Sequence, residues 1–230
     1  MKIRRIRGAG WLALLGGGEF SFGETEAADR AWLARTPPGK VGFLPAASGS
    51  TEYGDHFATY MRDGFDREVE ALPIYRVRDG RRGKNRQRIE GVAAVYLGGG
   101  VTDQLLAAVH DTPCAEALTA KLASGGVLAA MAAAAQCAGQ VARSMFGGGP
   151  IAGLGWLPGG VVEPNFDPAH DRRLRQLMNA PAVEWGLGIP ARSAVLLGPE
   201  GEAEILGTVF VLADADGDFE VLQQGSREND

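Results

Sequence analysis

The chain has 230 residues, 45% of them hydrophobic, enough for one domain with a sizeable core; at this size roughly 70–75% of the unfolded surface is normally buried. A net charge of −5 offers no global attraction to nucleic acid or to an anionic membrane, and no segment approaches the ~20 apolar residues of a transmembrane helix. The only cysteines, Cys114 and Cys137, match neither a disulfide framework nor a metal-ligand spacing, so two reduced, buried thiols in a cytoplasmic protein without metal or cofactor are expected.

The N-terminal run Lys2-Ile3-Arg4-Arg5-Ile6-Arg7, followed by Trp11-Leu12-Ala13-Leu14-Leu15, has the outline of a secretory signal. Its apolar part is short and is followed by glycines and Glu19, so a first core strand over Trp11–Leu15 fits it better. Similar apolar runs at Val41–Pro45, Val69–Ile74, Val92–Leu97 and Val127–Ala130 predict strands covered on both faces. Longer periodic segments between them predict helices. These are Glu24–Arg35, stopped by Pro37-Pro38; Glu52–Asp63, capped from the Ser48–Thr51 loop; Thr102–His110; Pro113–Ser124; and Ala132–Ser144. The alternation predicts a mostly parallel sheet with crossover helices. The basic stretch from Arg76 to Arg88 has no interleaved aromatics for base stacking and reads as a solvated loop without assigned function.

Beyond Gly147-Gly148-Gly149-Pro150 the pattern changes to short, turn-separated runs. Leu154–Leu157, Gly160–Glu163, Ser193–Leu197, Glu204–Leu206, Thr208–Leu212 and Phe219–Leu222 predict antiparallel strands extending one sheet edge, with one helix at Ala169–Met178. With no linker and no repeat, residues 1–230 read as a single α/β domain, a sandwich with a β-rich C-terminal third.

The most informative stretch is Gly125 to Ala135, a buried strand turning sharply into a helix. Many α/β hydrolases hold a nucleophile at such a turn, yet Ala132 stands at its tip, and a methyl group cannot attack a carbonyl. Glycines also end the first and fourth predicted strands, at Gly16–Gly18 and Gly98–Gly100. Ligands of doubly wound sheets sit at that edge, and glycine there lets backbone N–H groups approach them.

These segments carry a family resemblance. Tyr96-Leu97-Gly98-Gly99-Gly100-Val101-Thr102-Asp103-Gln104-Leu105-Leu106 is similar to the "GGGNTFQLL" segment of the peptidase E–cyanophycinase family of serine peptidases. Gly125–Gly139 resembles its "GGVIAGTSAGAAVMG" elbow, and Leu14–Glu19 and Leu44–Ser48 resemble its opening strand and "IPTAS" turn. Gly153–Phe166 looks like "GLGLLPGVVVDQHF", and Gly186–Leu197 like "GIGIDEDTALVV". The resemblance implies a class I glutamine amidotransferase-like, flavodoxin-like fold, a three-layer sandwich of a mostly parallel sheet between helices.

Carried over by position, the resemblance puts the serine at Ala132, the histidine base at Asn165 and the aspartate before it at Glu163. The acidic positions of the last segment fall on Pro190, Ala191 and Arg192, and the asparagine of "GGGNT" falls on Val101. A serine hydrolase needs a hydroxyl, a base and a group that orients the base, and an amide is no base near neutral pH. The resemblance thus implies a degenerate member with a relict ligand pocket of Gly99, Gly100, Thr102, Met131, Ala132, Ala133, Gln136, Glu163, Asn165 and Arg192. Arg192 would offer a fork to an acidic group.

Of the alternatives for a shifted nucleophile, Cys137 lies five residues past Ala132, on another side of the helix, and reads as a core thiol. His56, His110 and His170 read as surface or helix-end residues, and Trp156 and Trp185 as core. Three functions follow as expectations. The first is a non-catalytic homologue that binds a small acidic peptide or a protein partner. The second is a hydrolase of aspartyl peptides using a rearranged nucleophile such as Cys137. The third is a structural module that pairs with itself or with an active relative. A homodimer is expected, and neither nucleic acid nor membrane.

Overall fold

The computed structural model describes residues 3–225; Lys2 of the basic N-terminal run and the last five residues lie outside them. Five parallel strands build the centre of the main sheet: β1 (Trp11–Leu15), β2 (Val41–Leu44), β3 (Val69–Ala71), β4 (Ala94–Leu97) and β5 (Val127–Met131). Two antiparallel strands, β10 (Ala194–Leu197) and β11 (Ala203–Leu206), extend it to the order β11-β10-β1-β5-β4-β2-β3. Leu14 of β1 lies opposite Ala130 of β5 and, on its other side, Val195 of β10.

Alternate residues of each central strand feed two different cores, as a sheet covered on both faces requires. Leu12, Leu14, Val95, Leu97, Leu128 and Ala130 join one cluster; Ala13, Leu15, Ala94, Tyr96, Ala129 and Met131 join the other. The second face is covered by α1 (Glu26–Leu33) and α2 (Thr51–Phe65), through Trp32, Phe57 and Met61. The first is covered by α5 (Thr102–Val109), α6 (Pro113–Ala123) and α7 (Ala133–Cys137). The three-layer α/β sandwich is therefore as expected.

Several boundaries differ from expectation. Between β3 and β4 the basic stretch is not a loop but two short helices, α3 (Val77–Gly80) and α4 (Gly83–Gly91). Buried Asp79 accepts from the N–H groups of Tyr75 and Arg76, and buried Asn85 donates to the carbonyls of Pro73 and Asp79. Those bonds hold one side of the stretch inward while most of the cations face water. The strand predicted to Ile74 ends at Ala71, just ahead of Pro73.

The helix predicted over Ala132–Ser144 stops at Cys137. Gly139 follows, and a Cβ there would lie only 3.0 Å from the carbonyl oxygens of Gly160 and Val141. The chain then forms a hairpin of β6 (Val141–Arg143) and β7 (Pro150–Ala152). No strand forms at Leu154–Leu157.

The C-terminal strands do not all extend the main sheet. β8 (Gly160–Pro164), β9 (Trp185–Ile189), β12 (Thr208–Leu212) and β13 (Phe219–Gln223) make a separate sheet of order β13-β12-β9-β8, in which β8 and β9 are parallel. Strand β9 had no counterpart among the predicted elements. The helix predicted at Ala169–Met178 is a 3-10 turn, Pro168–His170, followed by α8 (Arg172–Met178). Leu174, Leu177 and Met178 of α8 pack with Phe166 and Leu212 into a small core on this second sheet. A Cβ on Gly186 would meet the Met178 sulfur at 2.8 Å, and one on Gly188 the Phe166 ring at 2.5 Å. Glycine at both positions lets that core close. Trp156 and Trp185 are fully buried, as expected.

Candidate functional site at the strand–helix elbow

Strand β5 ends in Met131, and α7 begins at Ala133. Ala132 between them takes φ 48° and ψ −108°, a conformation that an L-residue with a Cβ adopts only under strain, at a cost of roughly 1–3 kcal/mol. The surroundings hold it there. Its N–H donates to the Leu15 carbonyl at 2.9 Å, and its carbonyl accepts from Gln136 at 3.1 Å.

Gly99, at the end of β4, faces the elbow closely: a Cβ there would lie 3.3 Å from the Met131 side chain and 3.6 Å from the Ala132 methyl. Burial pushes the hydroxyl of nearby Tyr53 up to about 12. Gly100 has φ 145°, and a Cβ there would lie 2.3 Å from the Ala47 carbonyl, so the chain passes this point only as glycine. Gly99, Gly100, Met131, Ala132 and Ala133 are thus brought together, and Ala132 packs against the apolar cluster that contains Phe20, Tyr53 and Met131.

The polar residues expected around the elbow divide into two groups. In the first, the Thr102 hydroxyl donates to Gln136 Oε1 at 3.0 Å, Gln136 Nε2 donates to Glu163 Oε2 at 3.0 Å, and Arg143 Nη2 donates to Glu163 Oε1 at 3.3 Å. Burial pushes the Glu163 carboxyl up against the opposing pull of Arg143 and Gln136.

The second group sits at the end of β1. Asn165 (φ 48°) donates its N–H to the Gly16 carbonyl at 2.7 Å, and Arg192 (φ 62°) donates its own to Gly17 at 2.9 Å. The Asn165 side chain fills the space above Gly17, where a Cβ would lie 2.0 Å from its Oδ1. The Arg192 guanidinium pairs with Glu24, so the fork expected for an acidic ligand is already engaged. Arg192 lines a cavity of about 210 Å³ with Glu24 and Ser193. Glu163 and Asn165 line a different one, of about 550 Å³, with His170, Arg172 and Arg173. Ala191 is exposed beside Arg192.

Cys137 is fully buried, its thiol directed at the Thr102 carbonyl at 3.7 Å, and burial pushes its ionisation far above the ordinary thiol range. Cys114 is buried as well. His56 lies exposed on α2, and His110 contacts Asp111 at 3.0 Å. His170, expected as a surface or helix-end residue, has Nδ1 2.7 Å from Asp167 Oδ2 and lines the same cavity as Asn165. Among the described residues, no group of three His, Cys, Asp or Glu could hold a metal ion, and no helix is long and apolar enough to cross a membrane.

Two residues were missed in the sequence: Arg143, and Asp103, which accepts from the Ser144 hydroxyl at 2.6 Å. A helix drawn through Ser144 put Arg143 on the wrong element. The signal against it was Gly139, followed by the three glycines at Gly147–Gly149.

A strained strand–helix elbow at the carboxyl edge of a parallel sheet, backed by glycines from the neighbouring strand, is the type of turn on which many α/β enzymes present a nucleophile. Residues 12–202 match the model of peptidase family S51, and the chain belongs to that family. No curated protein matches it. Among solved structures, a peptidase from an acI-B1 Actinobacterium superposes with a TM-score of 0.74 at 19% identity, covering 96% of this chain and 97% of that one. A putative peptidase E protein from Listeria monocytogenes EGD-e gives 0.63 at 13% identity, covering 86% and 98%. At these identities the likeness is one of fold.

Proposed function

We propose that this chain is a non-catalytic member of peptidase family S51 that uses the elbow region to bind small peptides. The observation that carries this reading is Ala132. Its backbone keeps the strained elbow conformation, but the side chain in the attacking position is a methyl group. Loss of the hydroxyl alone removes the covalent route. Asn165 offers an amide in place of a base, and Cys137 is too deeply buried to substitute. For a ligand with an acidic end, the available cations are Arg172 and Arg173, exposed in the cavity beside Asn165, rather than Arg192.

A second reading, a hydrolase with a relocated base, has one observation in its favour: the Asp167–His170 pair in that same cavity. It still lacks a nucleophile. The test combines hydrolysis assays on dipeptides with N-terminal Asp and thermal-shift measurements with the same peptides. Binding shifts without turnover support the proposal; turnover by the wild-type protein overturns it. Ala132→Ser alone is expected to stay inactive; activity in that variant that disappears on His170→Ala would show that the Asp167–His170 pair can serve as a base, while only wild-type turnover would establish the second reading.

A further inference from the structure

The loop after β6 presents apolar side chains to water while being held in one place. Phe146 is 76% exposed and Met145 54%. The Ser144 hydroxyl donates to Asp103 Oδ1 at 2.6 Å, the Met145 N–H donates to Asp103 Oδ2 at 2.7 Å, and the Phe146 N–H donates to Ser144 Oγ at 3.1 Å. Arg143 bridges Glu163 and the Met145 sulfur, 3.2 Å from the latter. Ordering a segment costs about 1–2 kcal/mol per residue in backbone entropy, and here the ordered part leaves a phenylalanine in water. Anchoring that gains no burial in the free protein is the arrangement expected of a preorganised contact.

The anchor is linked to the elbow through α5 and α7. Asp103 follows Thr102, whose hydroxyl donates to Gln136, and the Gln136 N–H donates to the Ala132 carbonyl. The elbow itself is apolar, with Met131 and Ala132 packed on the cluster of Phe20 and Tyr53. Two residues beyond Phe20, Phe22 is 82% exposed on the loop that leaves the same edge of the sheet from β1. The nearby arginines are already paired, Arg143 with Glu163 and Arg192 with Glu24.

We infer that the Met145–Phe146 loop is a recognition element for an apolar side chain of a peptide bound across the elbow. This rests on the reading of the elbow as a binding site. It adds a second determinant, an aromatic or branched side chain, separate from any acidic end at Arg172 and Arg173. Phe146 makes the contact, and Asp103 positions it.

The experiment measures binding of N-acetylphenylalaninamide and N-acetylalaninamide to the full chain by titration NMR, with dipeptide hydrolysis followed separately. The phenylalanine probe is expected to bind at least about tenfold more tightly. Phe146→Ala should abolish that preference, and Asp103→Ala should weaken it. Because Phe146 is exposed, its replacement does not threaten the fold. Equal affinity for the two probes, no binding of either, or a preference that survives Phe146→Ala overturns the inference. A change in sedimentation on Phe146→Ala with no change in probe binding also overturns it, in favour of a second copy as the partner. Hydrolysis by the wild-type protein would sink the non-catalytic reading while leaving the apolar contact to be judged by the probes.

Discussion

Gln136 donates its side-chain amide to Glu163 at 3.0 Å, joining the helix that starts at the elbow to the strand that leads to Asn165. The family resemblance would put a nucleophile on the first of these elements and a base on the second. Here a buried hydrogen-bonded chain from Thr102 to Arg143 ties the two elements together.

Strain at Ala132 makes a stability prediction. The backbone there costs roughly 1–3 kcal/mol for a residue with a Cβ, whereas glycine costs only about 0.5–1 kcal/mol in extra chain entropy. Ala132→Gly should therefore raise the unfolding free energy by about 1 kcal/mol, after allowing for the lost methyl contact. A denaturant titration reads this out; a destabilised variant would mean that the strain is not borne by this residue.

Glu163 gives a pH prediction. Burial raises its ionisation above the ordinary carboxylate range, so its contribution to stability is complete below the unfolded-state value and is lost as pH rises through the folded-state value. Gln at this position has no such loss. Reversing the Gln136 amide and the Thr102 hydroxyl lets the network accept the new donor. Glu163→Gln should gain on wild type in melting temperature as pH rises from below the carboxylate range to neutrality. A difference that stays constant with pH would show that the carboxyl is not perturbed.

The two thiols should be silent in the folded protein. Burial pushes the Cys114 thiol up to about 11 and that of Cys137 further still, and the thiolate is the reactive form. A disulfide reagent such as DTNB at neutral pH should titrate neither thiol before denaturant is added and both afterwards. Rapid reaction of one thiol in the native state would reopen the route through Cys137.

The elbow was legible in the sequence because it needs only a short apolar run, flanking glycines and small residues after the turn. The parallel core strands were legible for a similar reason, since residues buried on both faces leave no alternation to misread. What escaped depends on distant partners. The helices at Val77–Gly80 and Gly83–Gly91 are held partly through the buried side chains of Asp79 and Asn85, which look like ordinary polar residues of a charged loop. The separate C-terminal sheet depends on Phe166 and Met178 packing over Gly188 and Gly186, and nothing local announces that. The residues expected to form one pocket came from aligned positions, and position along the chain did not reveal that Arg192 pairs with Glu24.

The central claim is that no activated nucleophile stands at the elbow, and the most direct measurement does not depend on guessing a substrate. The folded protein is incubated with a fluorophosphonate, which phosphonylates activated serines, and its intact mass is followed beside an active serine peptidase as control. The account predicts no mass addition to this chain under conditions that fully label the control. Stoichiometric addition to a single residue of the native protein would contradict it.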